Sequence, residues 1–94
     1  MKAPQLYPEL KRLAEKLGVP VVEKSFRNAG VPVQSGLCKV REEFRFVMDR
    51  NLPVSEKNRL LGECLASMDH SSVFVAPAVR DFIQKQFEKQ ELAG

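Results

Sequence analysis

The first amphipathic pattern lies near the start of the chain, where apolar residues recur at intervals of three and four. These positions are Leu6, Leu10, Leu13, Ala14 and Leu17, with charged residues filling the other faces. This spacing predicts a helix over residues 8–17 with one apolar side. Pro8 suits a first helical turn, and Gly18 is placed to adopt the left-handed conformation that ends a helix.

β-Branched residues then replace the helical pattern. Residues 21–27 predict a strand, and Pro20 restricts its start to a strand end or a sheet edge. Residues 28–30 have the composition of a turn, and Pro32 favours an extended conformation over residues 31–33.

Residues 36–49 predict a β-hairpin whose second strand has an apolar face formed by Phe44, Phe46 and Met48. A two-residue loop at positions 42–43 would place charged residues opposite these phenylalanines. A register shifted by one residue instead places Val40 opposite Phe44 and Cys38 opposite Phe46, because side chains alternate with a period of two. We therefore predict a three-residue connection at 41–43, although this segment offers no glycine for a left-handed position.

Two further helices are predicted in the second half of the chain. Ser55 is a suitable N-cap for the first, and its apolar stripe is Leu60, Leu61, Cys64, Leu65 and Met68. Residues 69–72 end this pattern, and residues 73–75 form a short extended run. Pro77 opens the last helix, whose stripe is Val79, Phe82, Ile83 and Phe87. The polar residues 88–94 are expected to fray.

This order of elements predicts a single α+β domain spanning residues 1–94. We expect a small antiparallel sheet, made of one strand plus the central β-hairpin, covered on one face by about three helices. The other face of the sheet, carrying Leu37, Lys39, Arg45 and Val47, is expected to be partly exposed.

Composition excludes several classes of protein. The chain has 94 residues, of which 44% are hydrophobic and 29% charged, so it can bury a core and is not of the disordered class. The net charge of +3 comes from basic residues spread among acidic ones, which is typical of a mixed solvated surface. No apolar run matches a secretory signal or a membrane span. We therefore expect a cytoplasmic protein with reduced thiols.

Few residues offer catalytic or metal-binding chemistry. The chain has one histidine and two cysteines, and it lacks a phosphate-binding glycine loop, a paired CxxC and a nucleophile elbow. A metal site would require Cys38, Cys64 and His70 to converge with Asp69, whereas both cysteines lie in apolar stripes where thiols act as small hydrophobes. A reactive Cys38 is the remaining alternative. We expect no catalytic residue, metal or cofactor.

One face of the Ser55 helix carries small residues, Gly62 and Ala66, flanked by Arg59 and Glu63. A glycine inside a helix costs about 1 kcal/mol relative to alanine. Two interpretations remain open: a tolerated surface glycine, or a close approach by another helix or a partner.

Residues 46–53 (FVMDRNLP), the helix at 59–66 (RLLGECLA) and the later segment 73–77 (VFVAP) resemble the core of the ImmA/IrrE zinc-metallopeptidase family. The resemblance implies that Gly62 and Ala66 occupy the positions of the two zinc-binding histidines. Only Glu63 matches, in the place of the general base. The family likeness therefore implies an inactive remnant of that scaffold, because a zinc site needs its protein ligands. The layout also resembles that of short conserved bacterial proteins with no assigned function.

These observations lead us to expect a non-enzymatic protein that acts through protein–protein contacts, with self-association as a homodimer. The candidate interface residues are Leu37, Val47, Arg59, Gly62, Glu63, Ala66, Phe87 and Leu92. A weak nucleic-acid-binding module is an alternative, motivated by the basic residues Lys39, Arg41 and Arg45. The inward assignment of the hairpin phenylalanines argues against it, because no aromatic ring would then be free to stack on bases. An enzyme using Cys38, Cys64 or Glu63 is a third hypothesis.

Overall fold

The structure, a computed structural model, describes residues 1–25 and 36–93, with side chains except at positions 40 and 90–93. Its elements follow in the order α1 (Ala3–Lys16), β1 (Val21–Lys24), β2 (Gly36–Val40), β3 (Glu43–Asp49), α2 (Val54–Ala66) and α3 (Pro77–Ala93). The predicted α+β class and the predicted order of elements are confirmed. The end of the first predicted strand, the turn at 28–30 and the extended run at 31–33 lie outside the described residues.

The three strands form one sheet in the order β1-β3-β2. β2 pairs antiparallel with β3, as expected of a hairpin, but β1 pairs parallel with β3. The sheet is therefore mixed, and the prediction of a wholly antiparallel sheet was wrong on this point. The apolar pattern of a strand defines its buried face and not its direction, so the sequence of β1 did not reveal this pairing.

The loop between β2 and β3 has two residues, Arg41 and Glu42, and not the three that we predicted. Both have positive φ, 51° and 71°. These are the left-handed values that a type I′ turn requires at both central positions, and this turn matches the twist of a two-residue hairpin. Neither residue is the asparagine or glycine usual in such a turn, so no turn signal at these two positions predicted it.

The shorter loop changes which residues face each other. Leu37 pairs with Phe46, and Lys39 pairs with Phe44. Leu37 and Lys39 therefore lie on the same side of the sheet as Phe46, which is the side covered by helices. Cys38 lies on the opposite, open side. The predicted register failed because it took Cys38 and Val40 as the buried apolar pair of β2 and assigned Leu37 to the other face of the sheet.

Helices α1 and α2 lie against the sheet, and α3 packs on α2 and touches α1. Within the described residues α3 contacts no strand, so two helices cover the sheet and the third covers a helix. The buried apolar side chains are Leu6, Tyr7, Leu10, Leu13, Ala14, Val19, Phe46, Met48, Leu61, Leu65, Val75, Val79 and Ile83. The predicted stripes of the three helices supply most of this core.

The end of α1 has the predicted form. Gly18 has a φ of 84°. Its N–H donates to the carbonyl of Glu15 at 3.0 Å, and the N–H of Val19 donates to the carbonyl of Ala14 at 2.8 Å. These two bonds are those of a Schellman motif. The start of α1 differs from the prediction, because the helix already begins at Ala3 and includes Pro8 in its interior.

The second half of the chain follows the prediction with shifted ends. α2 begins at Val54 after Pro53, so Ser55 lies in the first turn and is not the N-cap. Residues 73–75 form an irregular segment and not a strand. α3 continues to Ala93, well past Phe87. The fraying of residues 88–94 stays a prediction. None of the described helices is long and apolar enough for a bilayer span.

Candidate interaction surface

The hairpin exposes two large apolar side chains on the helix side of the sheet. Leu37 is 49% exposed and Phe44 is 45% exposed. They are diagonal neighbours on adjacent strands, close enough for their side chains to form one surface. The Lys39 Nζ atom lies 5.6 Å from the centre of the Phe44 ring, a cation–π distance. We call Leu37, Lys39 and Phe44 the hairpin patch. The prediction that Phe44 is buried was wrong.

The backbone of β2 provides a second feature of the same surface. In a two-residue hairpin the pair that flanks the loop, Val40 and Glu43, exchanges hydrogen bonds, and hydrogen-bonded and non-hydrogen-bonded pairs alternate from there. The N–H and C=O groups of Cys38 therefore point toward β3, and those of Leu37 and Lys39 point away from it. In the described part of the sheet, no strand pairs with this outer edge of β2.

The open face of the sheet is more polar than the helix side. Val47 and its neighbour Val22 are half-buried there, whereas Cys38 and Arg45 are exposed. Arg45 forms a salt bridge with Glu43 at 3.8 Å. The expectation of a partly exposed face holds for Arg45 and Val47, but it was wrong to place Leu37 and Lys39 on it.

Arg59 joins two carboxylates on the exposed side of α2. Its guanidinium donates to Glu56 and, at 2.8 Å, to Glu63. The hydrogen bond from Arg59 lowers the pKa of Glu56, and the two carboxylates raise the pKa of Arg59. Glu63 thus sits in a surface ion-pair network, and the roles of Arg59 and Glu63 in an interface stay predictions.

Gly62 is buried at the contact between α2 and α3. A Cβ atom built at this position would lie 2.6 Å from Cε2 of Phe82 and 3.1 Å from Cγ of Gln86. Of the two interpretations left open above, the close approach of another helix is the one observed, and that helix is α3 of the same chain. Gly62 is therefore covered and offers no surface to a partner. Ala66 is half-buried beside it.

A shallow groove of about 210 Å³ runs between the end of α2 and the exposed side of α3. It is lined by Ala66, His70, Arg80, Ile83, Gln84 and Phe87. Phe87 is 40% exposed at one end. The Nδ1 atom of His70 lies 3.0 Å from the carbonyl oxygen of Met68, which orients the imidazole. The side chain of Leu92 lies outside the described residues, so its role stays a prediction.

Phe74 is the most exposed large apolar side chain of the described residues, at 79%. It stands on the irregular segment before α3, beside a pocket of about 170 Å³ whose apolar lining includes Leu13 and Val79. No other large exposed apolar residue lines this pocket. Phe74 is thus an isolated ring, in contrast to the hairpin patch, which combines apolar side chains with backbone hydrogen-bonding groups.

Sequence reasoning missed a cluster centred on Tyr7. The Nζ atoms of Lys11 and Lys57 lie 5.3 Å and 5.5 Å from the centre of its ring. Glu23 on β1 links the two lysines, accepting from Lys57 at 2.6 Å and lying 3.8 Å from Lys11. Burial, with a smaller contribution from Glu23, raises the pKa of Tyr7 to about 12. The cluster ties α1, β1 and α2 together. The sequence signal for the burial of Tyr7 was its position next to Leu6 on the predicted apolar stripe of the first helix.

The remaining chemical groups are engaged in separate local contacts. Burial raises the pKa of the Cys64 thiol, which is half-buried in α2. Hydrogen bonds from the backbone and side chain of Ser71 lower the pKa of Asp69. Among the described residues, no three histidine, cysteine, aspartate or glutamate side chains gather as a metal site would require.

Comparison of the chain with protein-family models, with curated proteins and with solved structures found no match.

Proposed function

We propose that this protein is a non-enzymatic binding protein that acts through protein–protein contacts, and that it forms a homodimer through the hairpin patch and the outer edge of β2. The observation that carries this proposal is the coincidence of two features on one short strand. The backbone groups of Leu37 and Lys39 point outward, and Leu37 and Phe44 are about half exposed beside them.

Each feature favours contact with another chain for a separate physical reason. Unpaired N–H and C=O groups at a sheet edge are a template for an added strand, which gains hydrogen bonds of defined geometry. Burial of Leu37 adds a hydrophobic contribution of about 25 cal/mol per Å² of apolar area removed from water. The strand is short, so we expect a dissociation constant on the order of micromolar.

Proteins often protect an edge strand with a lysine, and β2 carries Lys39. Here the ammonium group is held over the Phe44 ring, in the direction of β3. The charge is therefore drawn away from the outer edge of β2. This arrangement is compatible with an approaching strand, because the aliphatic part of Lys39 can pack against it.

The test is sedimentation velocity of the wild-type chain and two matched variants, from low to high micromolar concentration. Leu37→Asp places a charge at the proposed interface, and Phe74→Asp places the same charge at the most exposed aromatic residue elsewhere. We expect the wild type and Phe74→Asp to dimerise alike, and Leu37→Asp to dimerise at least tenfold more weakly. Circular dichroism verifies that both variants are folded.

Two results would contradict the proposal. One is a wild-type chain that stays monomeric at high micromolar concentration. The other is dimerisation that Phe74→Asp abolishes and Leu37→Asp leaves unchanged, which would move the interface to the Phe74 pocket.

A further inference from the structure

We infer that the two copies pair their β2 strands antiparallel about a two-fold axis at Cys38, so that the two Cys38 side chains face each other across the dimer. This inference rests on the proposed function and adds the register of the interface. It would join the sheets of both copies into one continuous sheet.

The outward backbone groups select this register. Hydrogen-bonded pairs across the interface must form between residues whose N–H and C=O groups point away from β3, namely Leu37 and Lys39. Centring the axis on Cys38 pairs Leu37 of each copy with Lys39 of the other, which gives about four backbone hydrogen bonds.

The neighbouring registers are less favourable. Centring the axis on Lys39 pairs two lysines of like charge directly with each other, which is destabilising, and places Leu37 opposite Arg41 of the turn. If the axis is centred on Leu37, no residue of the other copy's β2 lies opposite Lys39, so the outward groups of Lys39 stay unpaired. Only the register centred on Cys38 uses the outward groups of both residues in both copies.

The side chains agree with this register. On the helix side, Leu37 of one copy would have two neighbours. One is Lys39 of the other copy, and the other is the buried Phe46 of its own chain. Apolar atoms of the lysine would thus cover a leucine that is 49% exposed in the single chain. On the open side the two Cys38 residues would form a non-hydrogen-bonded pair, whose Cα atoms lie about 4.5 Å apart in antiparallel sheets.

That separation falls within the range of about 4.4–6.8 Å that a disulfide spans. Cys38 is exposed and free, whereas Cys64 is half-buried in α2. Oxidation by diamide, a diazene, tests the geometry: two thiols form one disulfide, and their two protons and two electrons pass to the diazene, which becomes the hydrazine. The disulfide is a reporter of the register and is not required for the dimer.

The experiment measures the rate of covalent dimer formation under diamide for three variants. Cys64→Ser retains Cys38 alone, Cys38→Ser retains Cys64 alone, and the triple variant Cys38→Ser, Lys39→Cys, Cys64→Ser moves the single thiol by one residue. We expect rapid crosslinking of Cys64→Ser, none of Cys38→Ser, and at least tenfold slower crosslinking of the triple variant, whose thiols lie opposite Leu37 and not opposite each other.

Failure of the register and failure of the dimer give different results. If sedimentation detects the dimer but the thiol at position 39 crosslinks as fast as Cys38, the register is wrong and the proposed function stands. Crosslinking of Cys38→Ser through Cys64 would also overturn the register. If Cys64→Ser neither sediments as a dimer nor crosslinks, both proposals fail.

Discussion

At the scale of single residues, Tyr7 shows how burial changes an ordinary side chain. Its ring lies in the core stripe of α1, and its hydroxyl is buried without a hydrogen-bond partner among the described residues. The flanking ammonium groups of Lys11 and Lys57 interact with the ring face and not with the hydroxyl. An ionised Tyr7 would therefore be a buried anion beside the carboxylate of Glu23, which explains why the folded protein retains this proton.

The raised pKa of Tyr7 makes stability depend on pH. An unfolded tyrosine ionises near 10.0 and the folded one near 12, so between these values the folded state binds more protons. The free energy of unfolding should be unaffected by Tyr7 below pH 10 and should fall by about 2 kcal/mol as the pH rises to 12. Urea unfolding at each pH measures this decrease.

Tyr7 is the single tyrosine of the chain, so the absorbance of tyrosinate reports its ionisation directly. Tyr7→Phe is the control, because it removes only the phenol and keeps every other ionisable side chain of the protein. The variant should lose the Tyr7 part of the pH dependence and be within about 1 kcal/mol of the wild type at neutral pH, since it removes a hydroxyl without a partner. A native absorbance midpoint near 10 would contradict this account.

At the scale of elements, the hairpin turn offers a clear test of backbone conformation. Arg41 and Glu42 both adopt positive φ, which side chains with a Cβ atom disfavour. Replacing them by the preferred pair, Arg41→Asn with Glu42→Gly, should raise the free energy of unfolding by about 1 kcal/mol. Glu42→Ala is the matched control and should give no gain, because alanine keeps the strained Cβ. Equal stabilisation by the alanine variant would indicate a charge effect instead.

The contact between α2 and α3 depends on the missing side chain of Gly62. Gly62→Ala should destabilise the protein by about 1–3 kcal/mol, because the added methyl group meets Phe82 and Gln86 in a packed interface. This loss would exceed the gain of about 1 kcal/mol that alanine brings to a helix interior. Chemical denaturation measures the difference.

A double-mutant cycle separates the two contributions to Gly62→Ala. In a Phe82→Ala background the obstructing ring is gone, so the same substitution should become stabilising through helix propensity. An equal loss in both backgrounds would show that Phe82 is not the cause.

At the scale of the whole molecule, the stacking of helices explains why the hairpin patch is exposed. α1 and α2 reach the sheet, while α3 packs on α2 at the Gly62 contact and adds the buried residues Val79 and Ile83 to the core. Phe46 and Met48 on β3 are therefore covered, at 3% and 0% exposed. Leu37 lies on the outer strand β2 and Phe44 lies at the start of β3 beside the hairpin turn, so both are at the margin of this cover and remain exposed. A second copy paired along the outer edge of β2 would cover Leu37.

Local patterns in the sequence were sufficient for the elements. The intervals of three and four predicted all three helices and most of their buried residues, because helical periodicity is a property of neighbouring residues. Gly18 was correctly placed at the end of α1 for the same reason. The alternation of Phe44, Phe46 and Met48 also identified one face of β3, although not how much of that face is covered.

The tertiary structure alone decided the pairings between elements. The parallel alignment of β1, the register of β2 and the covering of Gly62 by α3 all depend on residues far apart in the chain, and their energies arise only when those segments meet. A shift of one residue in β2 moved Leu37 to the helix side and Cys38 to the open side, and the proposed interface follows from that shift. The sequence by itself thus determined the helices, the strands and their apolar faces, and packing determined which of those faces remained open.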